Sequence, residues 1–173
     1  MIAAWRRVGV TLLGLGLGVI LPAAAQASAT DTVVVYLARH AEKLDDSRDP
    51  PLSELGQQRA LELARLLTDA GVTHAWSTDY QRTRATAHPT AAARGLTVRP
   101  YDANNLAGFA AELLATPGRH LVVGHTNTTP ALVRALGGNG GNLIGDLEYD
   151  RLYVLTKAGS HITTVQLRWG ATR

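Results

Sequence analysis

The chain has 173 residues, enough for one domain with a real hydrophobic core, and its ordinary apolar fraction excludes a disordered or fibrous protein. It contains no cysteine, which excludes a disulfide framework, a Cys-ligated zinc site, a Cys nucleophile and an acylated lipoprotein cysteine. The formal net charge is +3, but Arg6 and Arg7 lie in a segment expected to be removed, and the remainder carries 15 basic against 14 acidic residues, too even a balance to argue for nucleic acid.

Residues 1–29 have the three parts of an export signal. Trp5-Arg6-Arg7 gives a positive start, residues 8–21 are apolar, and Pro22 leads into a small-residue run with Ala25-Gln26-Ala27 as an A-x-A cleavage pattern. The apolar run is short of the roughly 20 residues a membrane span needs. Gly14, Gly16 and Gly18 do not make a phosphate loop, because no strand precedes them and no Lys-Ser/Thr follows. The expectation is a signal peptide over 1–27 and a single domain over 28–173. The mature protein is then periplasmic or secreted, with no stable membrane association; a retained N-terminal anchor is the alternative.

Residues 33–38 read VVVYLA, a run typical of a strand buried on both faces. Arg39-His40-Ala41-Glu42-Lys43 follows at once, placing four ionisable groups where open α/β sheets bind their ligands. Residues 44–51 are polar and acidic and end in Pro50-Pro51, a loop. Ser53 is a helix N-cap ahead of an apolar stripe through Leu55, Ala60, Leu63, Ala64, Leu66 and Leu67, closed by Gly71. A short strand over 72–76 precedes Ser77-Thr78-Asp79, which caps a helix over 80–94; Pro89 inside it predicts a kink or break. A third strand over 96–100, a helix over 105–115, a strand over 120–123 and a helix over 128–136 come next. Residues 139–150 are Gly- and Asn-rich and read as a loop. Residues 151–156 and 161–169 flank Gly159 as a terminal hairpin.

This alternation predicts an α/β fold: a three-layer α/β/α sandwich whose mostly parallel central sheet carries an antiparallel edge strand. Right-handed crossovers bring the strand C-termini to one rim. Arg39 and His40, Arg82 near the start of the second helix, and His125 after Gly124 then meet there, as a pocket for a dianion. His74, His88, His120 and His161 have no partners in sequence and are expected to be structural or exposed.

With these residues in place, the chain resembles the histidine phosphatase superfamily, which includes the phosphoglycerate mutase-like and histidine acid phosphatases. Arg39-His40-Ala41-Glu42 corresponds to the family's R-H-G-E signature, and STDYQRTRATA over 77–87 to its S-x-x-x-x-R-A-x-Q-T-A segment. Gly124-His125-Thr126-Asn127 is similar to its G-H-x-N element, and PLSELG over 51–56 to its P-L-T-x-x-G helix start. Ala41 departs from the usual glycine; Thr83 and Ala85 depart from the alanine and glutamine of the second motif. The resemblance implies a phosphoglycerate mutase-like fold and a metal-independent phosphatase with no cofactor. It makes His40 the nucleophile, with Arg39, Arg82 and His125, the last as a charge-assisted donor, holding the phosphoryl oxygens of a small phosphorylated substrate. The general acid it requires is Asp102 first and Glu42 second; Glu42, Lys43 and Asn127 also stand as substrate-binding candidates. The chain lacks the insert that usually carries the mutase glutamate, which argues for hydrolysis. A protein phosphohistidine phosphatase, a non-catalytic phosphate-binding module, and a metal hydrolase built on His40, Glu42 and His125 are the competing readings.

Overall fold

Alternating side chains give the first strand two apolar faces. In β1 (Val33–Arg39), Val33, Val35 and Leu37 enter one core cluster, while Ala38 enters a second on the opposite face. A strand buried on both sides needs a covering layer on each. The structure, a computed structural model, describes residues 32–170. The predicted leader 1–27 and its cleavage point lie outside the described residues.

α1 (Glu54–Leu66) follows the first loop, its start capped by Ser53 Oγ accepting from Gly56 N at 3.1 Å. A short 3₁₀ turn, Thr68–Ala70, ends at Gly71, whose φ of 64° suits a residue without Cβ. Then come β2 (His74–Ser77), α2 (Gln81–Ala93), β3 (Val98–Pro100), α3 (Leu106–Ala115), β4 (Gly118–Gly124) and α4 (Thr128–Ala135). β5 (Arg151–Ala158) and β6 (His161–Arg168) form the closing hairpin.

The strands make one six-stranded sheet in the order β3-β2-β4-β1-β5-β6. β3, β2, β4 and β1 are parallel; β5 runs antiparallel to β1, and β6 lies outside it. Leu63 and Leu67, at the end of α1, and Ala87 of α2 pack with Leu121, Val123 and Leu152 on one face. Phe109 and Leu113 of α3, with Leu132, Val133 and Leu136 at α4, pack with Val35, Leu37, Val122 and Tyr153 on the other. This is the three-layer sandwich the alternation predicts.

Two local expectations change. α2 is continuous through Pro89, with no break. The proline removes one backbone hydrogen bond, and the flanking Thr86, Ala87, Thr90 and Ala91 are buried and hold the helix in place. Nor do Ser77-Thr78-Asp79 cap α2. Its N-cap position is Tyr80, with no side-chain cap, and Asp49 Oδ1 from the first loop accepts from Gln81 N at 2.9 Å instead.

His120 is the one fully buried imidazole. Its Nδ1 accepts from Trp76 Nε1 at 3.2 Å, and its Nε2 lies 2.9 Å from Thr116 O, so Nε2 carries the hydrogen. Burial pushes its pKa from 6.5 down to about 4. The unfolded chain then binds more protons than the native one between these values, so this contribution is complete above about pH 6.5 and is lost as pH falls toward 4. We expect the urea midpoint to drop across that window, on the order of 3 kcal/mol from this group. A flat midpoint between pH 7 and pH 4 would contradict it.

Candidate active site

Sheet register places the two motif histidines. β1 and β4 pair Arg39 with Gly124, so the next residues, His40 and His125, leave the rim side by side. Their ring centroids are 5.4 Å apart, and His40 N donates to Gly124 O at 2.9 Å. On the other flank of β4, β2 pairs Ser77 with Val123, which brings Thr78 Oγ1 to 2.8 Å from His125 Nε2. α2 begins three residues later and carries Arg82.

His40 is 4% exposed, and its tautomer follows from its neighbour. Nδ1 lies 2.7 Å from Ala41 O, a group that only accepts, so Nδ1 carries the hydrogen and Nε2 keeps its lone pair. The same logic assigns His125. The single Thr78 hydroxyl hydrogen goes to Thr83 Oγ1 at 3.0 Å, so Thr78 Oγ1 accepts from His125 Nε2–H. Ala41 fits without distortion. It is fully buried, its methyl joins Leu52 and Ala60 in a small cluster, and its N–H donates to Thr86 Oγ1 at 3.0 Å.

The two arginines are held from their rear. Arg39 Nη1 donates to the carbonyls of Gly145 (2.8 Å), Asp146 (2.8 Å) and Glu148 (3.1 Å), and its Cζ sits 4.1 Å from the Tyr149 ring centroid. Arg82 Cζ sits 4.4 Å from the Tyr80 ring centroid, and its Nη1 is 3.7 Å from Asp49 Oδ1, an ion pair too long for a hydrogen bond. Arg39 Nε, Arg82 Nε and Arg82 Nη1 are buried and have no hydrogen-bond partner. A buried unpaired donor costs about 1–3 kcal/mol, more when charged, so three beside two histidines mark a site for an oxyanion.

Electrostatics keep both rings neutral. Burial pushes His40 down to about 3; the Ala41 hydrogen bond, the largest effect after burial, opposes it, and the charge of Arg39, the His125 ring and Arg82 add to it. Burial, then Arg82 and Arg39, push His125 down to about 4. His40 is therefore an unprotonated imidazole near pH 7. The expectation of a charged donor at His125 is not matched here: the ring is neutral and its one N–H goes to Thr78 Oγ1. Arg39 itself is lowered by burial.

Among the described residues none of the remaining candidates is hydrogen-bonded or ion-paired through its side chain to Arg39, His40, Arg82 or His125. Glu42 is buried and turned into α1, where its oxygens accept from Arg59 Nε at 2.9 Å each and pair with Nη2 at 2.8 Å. Lys43 pairs with Asp46. Asn127 is exposed at the N-cap of α4 and makes no side-chain cap. Asp102 is exposed, and its Oδ1 accepts from Asn104 N at 2.8 Å within its own turn. The residues that the sequence did not single out are Thr78, Tyr80, Tyr149 and Asp49. Thr78 and Tyr80 fall within the 77–87 motif without a role assigned there beyond a helix cap for Thr78, and Tyr149 and Asp49 reach the site through arginines distant in sequence.

Glycine shapes the rim at two places. A Cβ on Gly56 would stand 2.1 Å from Glu42 O, so α1 can approach the His40 loop this closely only with glycine there. A Cβ on Gly124 would stand 2.7 Å from Tyr101 Oη and 2.8 Å from Thr128 Oγ1.

A rim of this build, with two arginines and two neutral imidazoles past adjacent parallel strands, is laid out to receive an oxyanion. Residues 35–105 match the model for the histidine phosphatase superfamily (branch 1). The probable phosphoglycerate mutase GpmB of Escherichia coli K12 is 38% identical over 68 residues, which is 35% of this chain and 32% of that protein. The chain thus aligns with about a third of the length of the curated relatives it matches. Three solved structures share the fold. A mycobacterial glucosyl-3-phosphoglycerate phosphatase with inorganic phosphate is 17% identical, with a TM-score of 0.62 over 81% of this chain and 98% of that one. The protein histidine phosphatase SixA with tungstate is 17% identical, with 0.63 over 78% and 96%. A phosphoglycerate mutase of Bacillus anthracis is 16% identical, with 0.60 over 80% and 94%. Sequence model and fold agree with the motifs: the resemblance to the histidine phosphatase superfamily holds, in a phosphoglycerate mutase-like fold.

Proposed function

We propose that this chain is an exported phosphatase that hydrolyses phosphomonoesters through a phosphohistidine on His40. One observation carries the reading. An imidazole with a free Nε2 lone pair sits in a buried cluster with three unsatisfied guanidinium nitrogens, on a rim shared with a second imidazole. His40 Nε2 attacks phosphorus as the ester oxygen leaves; water then attacks phosphorus and the nitrogen is released. Arg39 Nε and Arg82 Nε and Nη1 donate to the phosphoryl oxygens throughout, with His125 beside them. The guanidiniums supply the charge that a metal would otherwise bring.

Turnover of p-nitrophenyl phosphate is expected to persist in excess chelator, with inorganic phosphate released in step with the alcohol. Loss of activity in chelator would sink metal independence, and phosphate transfer to an added acceptor without phosphate release would make the protein a mutase. A second reading, hydrolysis of phosphohistidine on a protein, draws support from the likeness to SixA; a phosphorylated histidine phosphocarrier domain turned over far better than any ester would select it. Export belongs to the proposal: the mature protein is expected to begin at Ser28, and N-terminal sequencing checks it.

A further inference from the structure

Hydrolysis of an ester with a poor leaving group needs a group that gives the departing oxygen a proton and later takes one from water. Among the described residues neither carboxylate that the sequence offers for this work lies within ion-pair range of Arg39 or Arg82. Glu42 has its oxygens on Arg59, and the Asp102 carboxylate bonds within its own turn. The structure brings a third carboxylate to the rim. Asp49 Oδ1 is 3.7 Å from Arg82 Nη1, one of the buried donors without a partner. Arg39, by contrast, is held by carbonyls, and among the described residues no carboxylate lies within ion-pair range of it.

Asp49 is also fixed in place. Its Oδ1 accepts from Gln81 N at 2.9 Å and its carbonyl from Gln81 Nε2 at 3.1 Å. Its loop is closed at the base by Leu44 N donating to Pro51 O at 2.9 Å and by the Lys43–Leu52 bridge. Oδ2 makes no hydrogen bond with the described residues, and the side chain is 36% exposed. A phosphoryl oxygen bound by Arg82 Nη1 therefore arrives beside a carboxyl group with one oxygen free and open to water.

We propose that Asp49 is the proton carrier of the reaction on His40, an inference that rests on the phosphatase reading. In the first half-reaction the His40 Nε2–P bond forms and the P–O ester bond breaks. The electron pair goes to the leaving oxygen, and the Asp49 carboxylic acid gives that oxygen its proton, releasing the alcohol. In the second, a water oxygen bonds to phosphorus and the P–N bond breaks, its pair returning to Nε2. The Asp49 carboxylate takes the proton from water, which regenerates the acid.

The test compares the unaltered protein with Asp49→Asn and Asp49→Ala on p-nitrophenyl phosphate and on glycerol 2-phosphate. Asparagine keeps an Oδ1 acceptor for Gln81 N but cannot carry the proton. General acid–base catalysis contributes about 10²–10⁴-fold, so Asp49→Asn should lower kcat/KM, which reports the steps up to ester cleavage and not the later attack of water, about 100-fold on the alkyl ester. On the nitrophenyl ester, whose leaving group departs without help, the loss should stay under about tenfold. Equal losses on the two esters in Asp49→Asn, or a normal rate on the alkyl ester, would overturn the role. Full activity in Asp49→Asn with loss only in Asp49→Ala would overturn it too, reducing Asp49 to a helix cap that positions Arg82. Failure of the unaltered protein on both esters would instead sink the phosphatase reading, and this proposal with it.

Discussion

His40→Asn should lower phosphate release from p-nitrophenyl phosphate by about 10⁴-fold or more while leaving the thermal midpoint close to that of the parent. The effect is large because, in the proposed reaction, His40 holds the lone pair that bonds to phosphorus. The arginines carry no lone pair to offer, and His125 spends its Nε2 on the hydrogen bond to Thr78, which leaves only its Nδ1 to compete. The fold should tolerate the change. His40 meets the protein chiefly through Nδ1 and Ala41 O, at 2.7 Å, and an asparagine amide can make the same donation. Acid-labile, base-stable ³²P on the parent, and its absence from the variant, would tie the loss to the covalent step. A variant that keeps more than about a hundredth of the parent rate would show that His40 binds phosphate and is not the nucleophile.

Glu42→Ala should destabilise the protein by about 3–5 kcal/mol, because it removes the carboxylate facing a buried guanidinium. Glu42 and Arg59 are both buried, and three nitrogen–oxygen distances of 2.8–2.9 Å join them. The Arg59 guanidinium also lies 5.5 Å from the Trp169 ring centroid, so the pair ties the His40 loop to α1 and to the end of the sheet. Replacing both partners by apolar residues of similar size, as in Glu42→Met with Arg59→Met, should recover much of the loss. Urea denaturation of the single and double variants measures this directly. A Glu42→Ala cost below about 1 kcal/mol would mean the pair contributes little to holding that loop. Glu42→Gln separates the pair from chemistry: reduced stability with turnover largely retained fits a residue that positions the loop, whereas loss of turnover specifically on alkyl esters would return the acid role to Glu42.

The two effects share one region, since the residues after β1 hold both the lone pair and its scaffold. Ala41 O fixes the His40 tautomer, Glu42 O accepts from Ser53 N at 3.0 Å, and Gly56 permits α1 to approach that carbonyl. A change at any of these positions reaches His40 through the backbone.

What the sequence determined by itself was whatever repeats at short range. The apolar run before Arg39 marked a doubly buried strand, the alternation of elements marked a parallel sheet with a layer on each face, and the strand ends marked where His40 and His125 emerge. Parallel register does the rest, because neighbouring strands that end level must present their next residues together. Tertiary structure alone decided what each charged side chain does with its charge. Arg39 is clamped by carbonyls beginning 106 residues away, Glu42 is taken by Arg59, 17 residues on, and Asp49 meets Gln81 across 32 residues. No periodicity encodes such pairs. Burial makes the difference: an ionised group shut away from water must be matched by whichever partner the packed chain brings within about 3 Å, and only the packed chain settles which partner that is.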